Sequence, residues 1–139
     1  MKSLDKEFGD IKVSDCASFE RTISTEDMNA FAQLSGDYNP LHLEEDYAAK
    51  TELKGTVVYG MLLAALVSRL VGMDLPGKRA LLLTESLEFK KPARVGDLII
   101  VEGIVRHKSL STRILELDIS IKRSAELLAI GSVSVKVLP

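Results

Sequence analysis

The chain has 139 residues, 46% of them hydrophobic and 27% charged, with a formal net charge of -2. That length suits one compact domain, residues 1–139, and the charge balance supplies no overall basic field for nucleic acid. A single cysteine, Cys16, excludes an internal disulfide framework and a cysteine-rich zinc site.

In chain order, the opening residues MKSLDKEFGDIKV hold no apolar run of signal-peptide length and mix acids with lysines, so a cytoplasmic location is expected. Ser24-Thr25-Glu26-Asp27 matches a capping box, with Ser24 as N-cap and Asp27 three positions on. Met28, Phe31 and Ala32 then recur at helical spacing, and Gly36 suits the end of that helix. Next comes SGDYNPLH, Ser35 to His42. It is rich in turn-forming residues, yet it brings an acid and one of only two histidines close together. A short helix is expected around Glu44 to Lys50.

Val57 to Leu70, VVYGMLLAALVSRL, is apolar on nearly every face, which predicts a buried helix. It falls short of the ~18 residues of a membrane span, and Arg69 interrupts its end. Gly72 and Leu75-Pro76-Gly77 close it. Beyond Pro76 the period becomes two: Leu81, Leu83, Leu87 and Phe89 alternate with mostly smaller or polar residues. Leu98 to Val105 follows the turn Pro92 to Asp97. Leu115, Leu117, Ile119 and Ile121 then alternate with polar residues, as do Val133, Val135 and Val137. Four strands without intervening helices predict an antiparallel meander, and hence an α+β fold in which a sheet curls around one buried helix.

Phe31-Ala32-x-Leu34-Ser35-Gly36-Asp37-x-Asn39-Pro40-Leu41-His42, followed by Gly60-Met61-Leu62, resembles the signature of MaoC-like, (R)-specific enoyl-CoA hydratases. The likeness continues through Leu75-Pro76-Gly77 and Ser86-Leu87-x-Phe89-Lys90-x-Pro92-x-x-Val95-Gly96-Asp97. It implies the hot dog fold, a homodimer, and reversible addition of water to trans-2-enoyl thioesters. It also implies that Asp37 and His42 are the catalytic pair, with Asn39 between them and Ser68 near the site. The Gly60 N–H, near the start of the buried helix, would receive charge developing on the thioester oxygen. Relatives usually have His-Gly where this chain has Tyr59-Gly60, a departure that bears on pocket shape.

Hydration needs one group to take a proton from water and another to supply one to the α-carbon, which an Asp/His pair holding one water provides. Read by itself, SGDYNPLH is a surface turn with a solvated Asp; joined to its flanking elements, it is a site. No metal ligand set and no cofactor beyond the coenzyme A or acyl-carrier-protein carrier is expected. The partners are an acyl thioester and a second copy, with neither nucleic acid nor membrane. Lys90, Lys91, Arg94, Arg106 and Lys108 either meet the carrier's acidic groups or form a solvated rim, and His107 among them reads as a surface residue. Two alternatives use the same fold. A thioesterase commonly carries an acid on the central helix, and Val57 to Leu70 has none. A non-catalytic acyl-CoA-binding protein has no need of an Asp/His pair.

Overall fold

The first helix, α1 (Thr25–Ser35), starts and stops as its sequence dictates. The Ser24 hydroxyl accepts the Asp27 N–H, the Asp27 carboxylate accepts the Ser24 N–H, and Gly36 ends the helix in the left-handed conformation at φ 77°. The computed structural model describes residues 1–139. Two one-turn helices follow, α2 (Pro40–Leu43) and α3 (Glu45–Ala48), before the long α4 (Gly60–Met73).

The central helix is shifted from the expected Val57 to Leu70. Val57 donates its N–H to Leu41 and Val58 donates to Ala93, so both residues are extended and the helix begins only at Gly60. It also passes through Gly72 to Met73. Nor is α4 enclosed on every side. Leu63, Leu66, Val67, Leu70 and Val71 are buried, whereas Met61, Ala65 and Ser68 form an exposed stripe.

Five antiparallel strands form one sheet: β1 (Cys16–Thr22), β2 (Ala80–Phe89), β3 (Leu98–Ser109), β4 (Ile114–Arg123) and β5 (Glu126–Val137), in spatial order β1-β3-β4-β5-β2. Only β3, β4 and β5 form a meander; β2 pairs with β5 on the far edge. The segment Lys90 to Asp97 therefore passes over the β4–β5 hairpin end. It is fixed there by Lys90 and Lys91 N–H bonds to the Leu128 carbonyl and by Arg123, which pairs with both Asp97 and Glu126.

Alternating residues of the three central strands carry the sheet's half of the core, including Ile99, Val101, Leu117, Ile121, Val133 and Val135. Gly103 lies under the Leu70 side chain of α4. A Cβ there would come within 2.6 Å of Leu70 Cδ2. In β2 the register shifts between Leu82 and Thr84. Leu82 therefore packs on the core while Leu81 and Leu83 lie outside, against the expected alternation. Downstream of the shift, Glu85, Leu87 and Phe89 face α4.

Candidate active site

From the last residue of α1 to the start of α2, three side chains each bond the backbone two residues ahead. The Ser35 hydroxyl accepts the Asp37 N–H at 3.1 Å, the Asp37 carboxylate accepts the Asn39 N–H at 3.1 Å, and the Asn39 amide oxygen accepts the Leu41 N–H at 3.0 Å. Asn39 thereby caps α2, and Pro40 occupies its first position, where no N–H is needed. The stretch is thus a turn and a positioning device at once, spending only one Asp37 oxygen on its own architecture.

Helix α2 places His42 half-buried beneath this loop. Its Nδ1 lies 2.8 Å from the Val57 carbonyl. A carbonyl only accepts, so Nδ1 carries the proton and the neutral ring keeps its lone pair on Nε2. Val57 is itself fixed. Its N–H bonds Leu41, and the Arg94 guanidinium donates to the carbonyls of Leu53, Gly55 and Thr56 at 2.6–3.0 Å. Arg94 is therefore occupied internally and unavailable to a carrier phosphate.

Tyr59 joins the two halves. Its ring is 2% exposed and stacks on the His42 ring with centroids 4.0 Å apart; Phe31 lies on it at 4.7 Å. Its hydroxyl donates to the Asp37 carbonyl at 2.6 Å. Burial first, then the nearby Asp37 and Tyr38 charges, holds that hydroxyl above its ordinary value of 10.0, so it remains a donor.

His42 and Gly60 line one cavity of about 330 Å³ with Val57, Leu63, Phe89 and Pro92. Neither Gly60 nor Met61 donates its N–H to a backbone acceptor, as expected for a helix start. The Phe89 ring lies over Gly60, its Cζ 3.0 Å from where a Cβ would be. Lys90 and Lys91 stand at the rim, paired with Glu88 and Glu126. Of the other candidate cations, Arg106 pairs with Glu116 and Asp118 on the sheet, and Lys108 donates to the Phe8 and Ile11 carbonyls.

Asp37 is exposed and does not line this cavity; its tie to His42 runs through Tyr59, which stacks on the imidazole and donates to the Asp37 carbonyl. Ser68 is two turns along α4, exposed, and is not brought to the cavity. Sequence reasoning left out the roles of Phe89 and Arg94, although Phe89-Lys90-x-Pro92 was the available signal for the first.

The model of the MaoC like domain matches residues 12–123. The chain belongs to the MaoC-like family. It is 43% identical over 109 residues to the (R)-specific enoyl-CoA hydratase of Rhodospirillum rubrum, covering 76% of each chain. To the (R)-specific enoyl-CoA hydratase of Aeromonas caviae it is 44% identical over 92 residues, 66% of this chain and 69% of that one. The solved (R)-hydratase of A. caviae superposes with a TM-score of 0.89 at 38% identity, over 94% of this chain and 98% of the other. Its MaoC-like fold is accordingly the hot dog fold.

Proposed function

We propose that this chain is an (R)-specific enoyl-CoA hydratase, acting in reverse as a 3-hydroxyacyl-thioester dehydratase. The observation that carries this reading is the meeting of His42, with its proton locked on Nδ1, and the free Gly60 N–H in one cavity. The similarity to (R)-specific hydratases supports it.

In this reading the thioester carbonyl accepts the Gly60 N–H, and a water is held between the Asp37 carboxylate and His42 Nε2. The water oxygen bonds the β-carbon as one of its O–H bonds breaks. The alkene electrons move toward the thioester oxygen, and a proton joins the α-carbon. The pair takes the first proton and supplies the second. Gly60 and the positive end of α4 stabilise the enolate-like charge, a contribution of about 3–4 kcal/mol for one such donor. Asn39, Tyr59 and the Arg94-held segment keep the groups in place.

The working unit in this proposal is a homodimer in the cytoplasm. On edge strand β2, Phe89 is 48% exposed on the side of the uncovered α4 stripe, and Leu81 and Leu83 are 48% and 45% exposed on the outer face, so a second copy has apolar surface to bury. No helix is long and apolar enough to cross a membrane. Lys90 and Lys91 face the carrier's acidic groups.

Incubation with crotonyl-CoA tests the reading. Loss of enoyl absorbance with formation of the (R)-3-hydroxy product is expected. Free thiol release with unchanged enoyl absorbance would establish a thioesterase instead, and binding without turnover a carrier. Light scattering reads the dimer.

A further inference from the structure

Val95-Gly96-Asp97 belongs to the stretch that resembles the family, yet Asp97 does not line the cavity of His42 and Gly60. It closes a tight turn. The Asp97 N–H donates to the Arg94 carbonyl at 3.1 Å, and Gly96 takes the positive φ of 92° that such a turn needs. The Asp97 carboxylate braces the turn again, its Oδ2 accepting the Arg94 N–H at 2.8 Å. The same oxygen accepts from the Arg123 guanidinium at 2.6 Å, and Arg123 also pairs with Glu126 at the β4–β5 hairpin end. Asp97 therefore ties the turn to the sheet.

The turn in turn holds the support of His42. Arg94 donates to the Thr56 carbonyl at 3.0 Å, and the Ala93 carbonyl accepts the Val58 N–H at 2.8 Å. These two bonds flank Val57, whose carbonyl fixes the proton on His42 Nδ1. We infer that Asp97 is a positioning residue for His42, acting through Ala93 and Arg94 on the Val57 carbonyl. Its kinetic consequence rests on the hydratase reading. With the Asp97 carboxylate in place, the clamp on Val57 is referred to the sheet; without it, the Arg94 N–H and Arg123 both lose their acceptor. The Val57 carbonyl is then freer to leave Nδ1. The tautomer of a neutral imidazole follows its hydrogen bond, so the proton passes in part to Nε2, which can no longer accept from water. Arg123 shares the task as the one cation paired with Asp97.

The experiment records the nitrogen-15 imidazole spectrum of His42, above the pH range in which the ring is charged, for wild type, Asp97→Ala, Asp97→Asn and Arg123→Met. His107→Gln assigns the second ring. On the same proteins kcat and KM are measured with crotonyl-CoA. The wild type is expected to hold the proton on Nδ1. Asp97→Ala is expected to move part of it to Nε2 and to lower kcat about tenfold to a hundredfold, with KM within about threefold. Asp97→Asn, whose amide oxygen still accepts the Arg94 N–H, and Arg123→Met, which leaves that bond in place, should fall between. In an Arg94→Met background, Asp97→Ala should add less than about threefold, since both act through one clamp.

A wild type with the proton on Nε2, or an unmoved tautomer in Asp97→Ala, overturns the inference whatever happens to kcat. If Asp97→Ala does not fold, Asp97→Asn and Arg123→Met decide, and a wild-type tautomer in both overturns it. If the tautomer moves while no protein hydrates crotonyl-CoA, wild type included, Asp97 keeps its role and the hydratase reading falls. If every variant hydrates crotonyl-CoA at the wild-type kcat, the role of Asp97 alone falls.

Discussion

The proposed acid and the proposed imidazole are five residues apart, yet the molecule holds them by opposite means. Asp37 is exposed and fixed by local bonds, each spanning two residues. His42 is half-buried and fixed by distant chain: the Val57 carbonyl, the Tyr59 ring, and behind them Arg94 gripping three carbonyls. The acid's placement is therefore set by its own octapeptide and by one long-range bond, from the Tyr59 hydroxyl to the Asp37 carbonyl. The imidazole's placement depends on long-range packing, so damage far along the chain reaches it first.

The strongest test of this contrast removes each group in turn. His42→Ala and Asp37→Asn are each expected to lower kcat/KM for crotonyl-CoA by about 10²–10⁴-fold, with melting temperature nearly unchanged for Asp37→Asn, whose amide oxygen still accepts the Asn39 N–H. The double variant should lose little more than the worse single one. Next in size, Arg94→Met leaves the Leu53, Gly55 and Thr56 carbonyls without their donor. It should cost about 2–3 kcal/mol in urea unfolding and lower kcat more than it raises KM, although Arg94 lines neither His42 nor Gly60. An Arg94→Met protein with full kcat would show that His42 does not depend on the distant segment.

Tyr59→Phe keeps the stack on His42 and deletes the bond to the Asp37 carbonyl. About 1 kcal/mol of stability is expected to be lost, with activity falling less than in either catalytic variant. Ser24→Ala removes a helix cap remote from the cavity. It should also cost about 1 kcal/mol but leave kcat/KM unchanged, which separates stability loss from misplacement of the pair.

The smallest effect is a pH dependence. Burial raises the Glu85 carboxyl above its ordinary 4.5, so the folded chain retains a proton that the unfolded chain releases. The stability this group contributes is complete below 4.5 and is lost as pH rises through its folded value. Melting temperatures of Glu85→Gln and wild type should accordingly coincide near pH 4 and separate toward pH 7, the variant being higher.

Elements whose stability is local were readable directly. The capping box of α1 and the period-two pattern of β4 and β5 appear as expected. Strand β1 escaped notice because only Ala17 and Phe19 of Cys16–Thr22 pack inward; its remaining order comes from pairing with β3. The β2–β5 pairing and the start of α4 at Gly60 were equally hidden, since backbone bonds to Ala93, Leu41 and Leu128 decide them. In β2 the single register shift moves Leu81 and Leu83 off the face that Glu85, Leu87 and Phe89 share, which the period-two pattern alone does not reveal.

The relay of Ser35, Asp37 and Asn39 has a corollary for anyone wishing to redesign this protein. Alternate positions do the fastening, so the loop tolerates changes of identity between them but not changes of length: one inserted residue puts the wrong side chain at every rung. Tyr38, 63% exposed and outside the relay, is the natural handle for reshaping the entrance while the carboxylate stays where it is.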